Sequence, residues 1–279
     1  MSSFGPQRVV SLQPSVTSTL DRLGVLDRVV ACTKWCVDVC PALRQDLLSE
    51  PPRMIVADSW SAKSTEILAA RPDLVIASVP YQLEAVAEIM KAGIPFLGLA
   101  PKSLSDVYGD ITKLAGIMDV PHRGAAVISG MQNEIAAIEG RTASLTRRRV
   151  YCEEWGKPLI HSQGWVKELV ESAGGSFLGT PGRATDAETI RDADPEVIIA
   201  AWCGAGDRLP LEHIIPARRW QNSAAALANQ VYCINDEFLN TPGPTVISGL
   251  HALAAAIHPE VFGSAPGLRR IAAAVPATG

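Results

Sequence analysis

Short runs of β-branched and other apolar residues alternate with helix-like segments along nearly the whole chain. This alternation is typical of α/β proteins, in which helices cover the faces of a parallel sheet. The first helix is predicted to begin with Ser15 as its N-cap, to bury Val16, Leu20 and Leu23, and to end at Gly24. The further elements predicted in this part are the strands Val9–Leu12, Val29–Thr33, Leu74–Ser78 and Pro95–Leu99 and the helices Ser64–Ala70 and Leu83–Ala92.

The second part of the chain repeats this order of elements. The segment 66–77 matches the segment 188–200 after one inserted residue, and both end in a Pro, an acidic residue and an apolar run. Self-similarity of this kind indicates an internal duplication, so we expect two similar lobes. The elements predicted here are the strands Val150–Glu153, Val197–Ala201 and Val231–Asn235 and the helices Trp165–Ala173 and Pro244–Ile257.

A single long amphipathic helix is predicted between the two parts. Apolar residues recur every three or four positions from Pro121 to Leu145, and the proline suits the first turn. Gly124, Gly130 and Gly140 each cost roughly 1 kcal/mol relative to alanine, so tertiary packing has to stabilise this helix. The predicted fold is therefore α/β, with two Rossmann-like lobes joined by one helix. Its boundaries are an N-terminal lobe 8–119, a connecting helix 120–146, a C-terminal lobe 147–262 and a flexible tail 263–279.

Composition and charge narrow the classes of function. With 279 residues, 47% hydrophobic and 19% charged, the chain is long enough for two folded lobes, and no apolar run approaches the ~18 residues of a membrane-spanning helix. The net charge of -4 and the single basic cluster 147–149 argue against nucleic acid as a partner. The first residues lack the features of a secretory signal, which predicts a cytoplasmic protein, or a periplasmic one if a leader has been omitted.

Aromatic residues are scarce, at 5% of the chain, yet they gather near predicted strand ends. Ligands of open parallel sheets bind at the carboxyl ends of the strands, where loops and helix N-termini meet. Aromatic faces there suit a large, flat, partly apolar ligand, although such rings also commonly fill the ends of a sheet. The candidate ligand-binding aromatics are Trp35, Trp60, Tyr81, Trp155, Trp202 and Phe238.

The six cysteines do not predict a disulfide framework and suit a reducing compartment. The spacing of Cys36 and Cys40 fits no zinc or iron–sulfur signature. Together with Cys203, these two are predicted loop thiols that either touch a bound metal centre or are incidental, and His161 is predicted to lie in a loop facing the ligand. Three further cysteines lie inside predicted strands and are most simply small buried residues: Cys32, Cys152 and Cys233.

Signatures of enzymes are absent. The sequence contains no G-x-S-x-G elbow, no phosphate-binding G-x-x-x-x-G-K-[ST] loop and no H-E-x-x-H helix. The turn 204–209 approaches a dinucleotide-binding loop, but Leu209 stands where the third glycine is required. Backbone N–H groups of this turn remain candidates for holding a carboxylate or phosphate. We therefore predict a protein that is not an enzyme.

The beginning of the sequence resembles that of the class III substrate-binding proteins of ABC importers, which are the cobalamin and iron-siderophore receptors. The residues that match there are 8–17, 23–25 and 27–30. The resemblance covers residues 8–262 and is greatest to the cobalamin-binding members. Further segments that carry it are Arg71–Ala77, Glu154 and Trp155 with Pro158, Gly174 and Gly175, Cys203 and Gly204, Pro242–Pro244 and His258–Glu260.

This resemblance implies a ligand site and a partner. It implies two Rossmann-like lobes on a helical backbone, with a shallow cleft between them and little hinge motion. Trp35 and Trp60 match cleft aromatics of the family, and Trp155 matches only approximately. Family members dock on a permease through one surface carboxylate per lobe. The first corresponds to Glu84, and the second to either Asp207 or Glu212.

The leading hypothesis is a monomeric, non-catalytic binding protein that holds a cobalamin-like corrinoid in the interlobe cleft and requires no cofactor. A ferric siderophore or haem is the alternative of the same class, for which Lys34, Lys157 and Arg208 are the basic candidates. The alternative of another class is a cytoplasmic metal-binding protein or metalloenzyme. Its metal ligands would be Cys36, Cys40, Cys203 and His161.

Overall fold

The computed structural model describes residues 5–43 and 53–271. The chain divides into two compact units. Unit 1 comprises Met1–Met131 together with Pro242–Pro244, and unit 2 comprises Gln132–Thr241 together with Thr245–Gly279. Both units are α/β, which confirms the predicted fold class.

Unit 1 alternates strands and helices in the predicted order. Each predicted strand is present to within one residue at either end. The strands that begin at Val9, Val29 and Leu74 coincide with runs of mostly buried side chains, whereas the strand that ends at Leu99 is only partly buried. Its strands are β1 (Val9–Ser11), β2 (Val29–Cys32), β3 (Met54–Ile55), β4 (Leu74–Ser78) and β5 (Phe96–Leu99), and its helices are α1 (Pro14–Arg22), a 3₁₀ turn (Leu26–Arg28), α2 (Lys34–Val39), α3 (Ser64–Ala69), α4 (Leu83–Lys91) and α5 (Leu104–Ile117).

The five strands of unit 1 form a parallel sheet in the order β3-β2-β1-β4-β5. One apolar cluster packs on each face of the sheet. Consecutive residues of β1 belong to opposite clusters, Val9 to one and Val10 to the other. The N-cap of helix α1 is Gln13, two residues earlier than predicted, so Ser15 is buried inside the first turn and is not the N-cap. Gly24 follows the helix with φ 67°, the left-handed conformation that glycine adopts without strain.

Unit 2 contains a mixed sheet in the order β12-β11-β10-β6-β7-β9, with β8 paired to β6. Strand β12 contradicts part of the predicted flexible tail 263–279, because it pairs antiparallel with β11. Residues 272–279 lie outside the described residues. The strands are β6 (Arg148–Gly156), β7 (Leu159–His161), β8 (Gly175–Phe177), β9 (Ala184–Thr185), β10 (Val197–Ala200), β11 (Val231–Ile234) and β12 (Leu268–Arg270).

The helices of unit 2 alternate with its strands, as predicted. Most residues of the last long helix, Val246–Ile257, are buried. His258, directly after this helix, is buried as well, at 2% exposed. The helices are α7 (Gly164–Ser172), α8 (Ala187–Asp192), α9 (Leu211–Ala217), α10 (Ala224–Leu227), α11 (Asp236–Leu239), α12 (Val246–Ile257) and α13 (Pro259–Phe262).

One long helix, α6 (Pro121–Thr142), joins the two units and contains the division between them. It begins at the predicted proline and ends three residues before the predicted Leu145. Its apolar stripe is buried at Met131, Ile135 and Ile138, as the spacing predicts. The structure thus confirms two α/β lobes joined by a single helix.

The duplicated segments share a hydrogen-bonding arrangement as well as a sequence. In unit 1, the Asp73 carboxylate accepts the backbone N–H of Arg8 at 3.0 Å, and the Asp73 backbone N–H donates to the Arg8 carbonyl at 2.9 Å. The Arg8 guanidinium in turn donates to the carbonyl of Arg71, which has φ 46°. These bonds fix the turn between α3 and β4 against the start of β1.

Unit 2 repeats the arrangement at the matching positions. The Glu196 carboxylate accepts the backbone N–H of Arg149 at 2.9 Å, and the Glu196 backbone N–H donates to the Arg149 carbonyl at 2.9 Å. The Arg149 guanidinium donates to the carbonyl of Asp194, which has φ 44°. The correspondence of an arginine, an acid and a left-handed residue supports the interpretation of an internal duplication.

The glycines of α6 give a test of the packing. An alanine Cβ at 124 would lie 2.5 Å from the Ala115 Cβ, whereas the same atom at 130 would have no neighbour within 4 Å. We expect Gly130→Ala to raise the free energy of unfolding by roughly 0.5–1 kcal/mol, because alanine is the better helix former. Gly124→Ala should lower it, since overlap outweighs propensity. Urea denaturation measures both; a gain for Gly124→Ala equal to that for Gly130→Ala would contradict the packing.

Candidate functional site

Unit 1 places three of the predicted aromatics just after the carboxyl ends of strands of its parallel sheet. Trp35 follows β2 within α2, Trp60 follows β3, and Tyr81 follows β4. Trp35 is 39% exposed and Trp60 is 49% exposed, although large aromatic side chains are ordinarily well buried. Unit 1 therefore presents two indoles to solvent at the edge of the sheet where ligands bind.

The polar groups of these side chains are held by unit 1 itself. The Trp35 Nε1 donates to Asp58 Oδ2 at 3.3 Å, and Asp58 Oδ1 accepts the Trp60 backbone N–H at 3.1 Å. The half-buried Tyr81 donates its hydroxyl to the Leu99 carbonyl at 2.7 Å, and burial raises the pKa of Tyr81 to about 12. With its N–H hydrogen bonded, the Trp35 indole offers its ring surface, while Asp58 fixes the backbone of Trp60 and Tyr81 acts as support.

Unit 2 contributes the other aromatics with less uniform exposure. Trp155 lies inside β6, beyond the predicted strand end at Glu153, because β6 continues into a hairpin with β7. It is 45% exposed, and its Nε1 donates to the Lys157 carbonyl at 2.9 Å. Trp202 follows β10 and is half-buried. Phe238, in α11, is also half-buried, and its ring packs on Gly267 of its own unit.

A buried ion pair holds Trp202. The Glu153 side chain is 1% exposed and accepts four hydrogen bonds. Trp202 Nε1 donates at 2.6 Å, the Tyr151 hydroxyl at 2.5 Å, and the two terminal nitrogens of Arg218 at 2.8 and 2.9 Å. The Trp202 ring lies directly over Gly156, where any Cβ would overlap it. The indole is thus clamped on its edge and on one side.

The thiol of Cys203 is exposed at the same sheet edge, as predicted. It accepts a hydrogen bond from Asn240 Nδ2 at 3.3 Å and lies 3.9 Å from Glu154 Oε1. Desolvation raises the pKa of Glu154. Desolvation is also the largest of the causes that raise the pKa of Cys203, so this thiol is protonated at neutral pH.

The turn 204–209 is occupied by a side chain of unit 2. Asp236 Oδ2 accepts the Gly204 N–H, and Asp236 Oδ1 accepts the Gly206 N–H, both at 2.7 Å. The sequence suggested these N–H groups for an anionic ligand. The protein's own carboxylate fills that role, because α11 begins at Asp236 beside the turn.

Cys36 and Cys40 are not loop thiols. Cys36 lies inside α2 and Cys40 caps its C-terminus, and both are at most 1% exposed within the apolar cluster of unit 1. Burial raises the pKa of Cys40 to about 12. For Cys36, burial acts in the same direction, but hydrogen bonds from Cys32, Thr17 and Thr33 lower the pKa to about 7. The short helix α2 turns this face inward, which the spacing alone did not indicate.

His161 is also buried, contrary to the predicted loop position. It ends β7, is 4% exposed and meets the Tyr151 ring edge-on, with 5.4 Å between ring centroids. Its Nδ1 has no hydrogen-bond partner, and burial lowers the pKa of His161. The ring therefore lies inside unit 2, where burial favours its neutral form.

The remaining candidates are surface carboxylates, and all three are exposed: Glu84 in the first turn of α4, Asp207 before α9 and Glu212 in α9. Glu212 lies 3.5 Å from Arg269 Nη1. Across residues 5–43 and 53–271, no three His, Cys, Asp or Glu side chains are grouped so as to hold a metal ion. None of the described helices is long and apolar enough to cross a bilayer.

Sequence reasoning missed the residues that hold the indoles. Asp58 carries a usable signal, since Asp followed three residues later by Ser is typical of a turn closed by the carboxylate. Glu153 and Arg218 are 65 residues apart and carry no such signal. Their pairing follows from tertiary structure alone.

Removing Arg218 should be costly. Arg218→Met leaves the buried Glu153 carboxylate without its cation, and we expect the free energy of unfolding to fall by about 3 kcal/mol. Arg191→Met is the matched control, because Arg191 pairs with Glu188 and Asp192 on an exposed surface and should change stability by less than about 1 kcal/mol. Equal losses for the two variants in guanidinium unfolding would refute the clamp.

His161 should make unit 2 sensitive to acid. Its pKa is lowered in the folded state, so the unfolded chain takes up a proton first as pH falls through the ordinary histidine pKa of about 6.5. Stability is then lost as pH falls from 7 to 5.5, by roughly 1 kcal/mol. His161→Leu should flatten this pH dependence, while His213→Gln, on the exposed side of α9, should not. Unfolding curves of each protein at pH 7 and pH 5.5 measure this dependence. If His161→Leu loses as much stability as wild type between the two pH values, His161 is not the source of the acid sensitivity.

Comparison with known proteins identifies the family. The family model described as "Periplasmic binding protein" matches residues 9–238. An uncharacterized ABC transporter substrate-binding lipoprotein, YvrC, of Bacillus subtilis is 23% identical over 92% of this chain and 82% of its own length. A cobalamin-binding protein of Halobacterium salinarum is 24% identical over 91% of this chain and 70% of its own length.

Among solved structures, the fold resembles that of a periplasmic heme binding protein from Pseudomonas aeruginosa. The TM-score is 0.83 at 20% identity, covering 96% of this chain and 98% of that one. The family match spans most of both units and confirms the resemblance seen in the sequence. The chain belongs to the periplasmic binding protein family and is a substrate-binding protein of the ABC-transporter type, not an enzyme.

Proposed function

We propose that this protein binds a bulky, flat metal chelate of the corrinoid class, such as cobalamin, for import by an ABC transporter. The observation that carries the proposal is the exposure of Trp35, Trp60 and Trp155 at strand ends. An indole face left in water forgoes burial of a large apolar surface, so three of them are best explained by a ligand that covers them.

The hydrogen bonding of the indoles supports the same class of ligand. Trp35, Trp155 and Trp202 each donate Nε1 to an acceptor in their own unit. Their remaining surface is aromatic carbon, which suits stacking on a macrocycle better than polar recognition of a sugar or an amino acid. The relative from Halobacterium salinarum, named a cobalamin-binding protein, agrees with this choice.

Haem is the second candidate because two lysines stand beside exposed indoles. Lys34 Nζ lies 4.4 Å from the centroid of the Trp35 ring, and the backbone of Lys157 accepts the Trp155 N–H. Both lysine side chains are exposed. An ammonium group near a stacking ring would pair with the propionates of haem, a pairing that a neutral ester would lose.

A permease is the proposed partner, and Glu84 and Asp207 are the proposed docking carboxylates. Glu84 stands beside Leu83, which is 81% exposed. Asp207 is favoured over Glu212 because Glu212 is paired with Arg269. The name of the Bacillus subtilis relative describes a lipoprotein, so we propose an extracytoplasmic location rather than the cytoplasmic one that the first residues favoured.

Titration with hydroxocobalamin tests the ligand. We expect calorimetric heat and quenching of tryptophan fluorescence, with Kd well below 100 μM. Absence of binding at about 100 μM, which is weaker than roughly -5.5 kcal/mol, rejects cobalamin. Hemin is titrated in parallel, with its dimethyl ester as the control. If hemin binds, its dimethyl ester binds more weakly and hydroxocobalamin does not bind, haem replaces cobalamin as the proposed ligand.

Variants locate the binding surface. Trp35→Ala and Trp155→Ala should each weaken binding by about tenfold or more, because each removes a large aromatic contact. Leu227→Ala is the control, since Leu227 is 74% exposed but precedes β11, at the opposite ends of the strands. Equal affinity of wild type and both tryptophan variants would move the ligand away from these rings.

A further inference from the structure

We propose that Asp58 is a positioning residue for ligand binding, whose single carboxylate holds the Trp35 indole and the backbone of Trp60 in their binding arrangement. The inference rests on the proposed function, because it concerns the same aromatic surface. It adds a residue that was not among the candidate site residues predicted from the sequence.

The two carboxylate oxygens have separate tasks. Asp58 Oδ2 accepts Trp35 Nε1 at 3.3 Å. Asp58 Oδ1 accepts the backbone N–H groups of Trp60 and Ser61, each at 3.1 Å, and the Ser61 hydroxyl at 2.8 Å. One oxygen therefore fixes the ring of Trp35, and the other fixes the backbone from which Trp60 projects.

The turn that carries Asp58 is anchored to the sheet by other residues. Ser59 is fully buried, and its hydroxyl donates to the Ser78 carbonyl at 3.0 Å and accepts Gln13 Nε2 at 2.5 Å. The Ala57 N–H donates to the Glu66 carboxylate at 2.8 Å. Since these bonds do not involve the Asp58 side chain, its replacement should leave the turn folded and release mainly Trp35.

Holding Trp35 before the ligand arrives affects affinity. A free, exposed indole samples several rotamers, and fixing one of them on binding weakens the complex. The Trp35 N–H is tied to Asp58, and Lys34 Nζ lies 4.4 Å from the ring centroid. The other face of the ring is thus presented in one orientation, which is how a rigid aromatic surface recognises a rigid macrocycle.

The substitution Asp58→Asn separates the two tasks. Its amide oxygen still accepts from Trp60 and Ser61, whereas its NH2 group faces the Trp35 N–H, donor against donor. Asp38→Asn removes the same charge from an exposed position of the same helix as Trp35 and is the matched control. We expect Asp58→Asn to weaken hydroxocobalamin binding roughly three- to tenfold and Asp38→Asn to leave it within twofold.

A double-mutant cycle distinguishes positioning from other roles. Trp35→Phe keeps an aromatic ring but has no N–H to hold. In this background, Asp58→Asn should change affinity less than twofold, because the bond it breaks is already absent. An equal loss in both backgrounds would mean that Asp58 touches the ligand or only maintains the turn, and would overturn the proposal. Wild-type affinity for Asp58→Asn would overturn it as well.

A measurement without ligand keeps this inference separate from the choice of ligand. The near-ultraviolet circular dichroism of Trp35, taken as the difference between wild type and Trp35→Phe, should shrink by half or more when Asp58 is asparagine. Failure of hydroxocobalamin and hemin to bind would refute the proposed function, while this signal still tests the positioning. An unchanged Trp35 signal would refute the positioning even if the ligand binds.

Discussion

The hydrogen bond from an indole N–H to an acceptor in its own unit is the interaction on which the candidate site depends. Trp35 makes it with Asp58, Trp155 with the Lys157 carbonyl and Trp202 with Glu153. A tryptophan has only this one polar group, so once it is satisfied the rest of the side chain is an apolar plate. Buried Trp165 and Trp220 satisfy the same requirement with backbone carbonyls, at 2.7 and 2.8 Å. Trp35 and Trp155 differ from these two because their ring surfaces are left exposed.

The parallel sheets decide where these plates stand. Strands that run the same way bring their following loops to one edge, so residues distant in sequence become neighbours, as Trp35 and Asp58 do after β2 and β3. The turns before β4 and β10 are fixed by the same arginine–acid arrangement, Arg8 with Asp73 and Arg149 with Glu196. In both units these bonds fix the starts of strands, and Trp35, Tyr81 and Trp202 follow strand ends at the opposite edge.

Much of this fold was accessible to sequence reasoning, and the exceptions have physical causes. Strands such as Leu74–Ser78 were predicted to the residue because buried parallel strands are continuous apolar runs. The positions of Cys36 and His161 were wrong because burial there depends on how a short helix and a hairpin fold back, which local pattern does not encode. The tryptophans could be listed from the sequence. The anchor of Trp202 could not, since Glu153 and Arg218 meet only through tertiary packing.

The anchors also bear on the kind of ligand. Glu153 has the chemistry of a metal ligand, but its oxygens are filled by Arg218, Tyr151 and Trp202 in a position that is 1% exposed. Both carboxylate oxygens of Asp58 likewise accept hydrogen bonds from groups of unit 1. Carboxylates placed in this way cannot bind a bare cation without breaking the bonds that orient the rings. Under the proposed function, a ligand whose metal is enclosed in a macrocycle leaves these bonds intact.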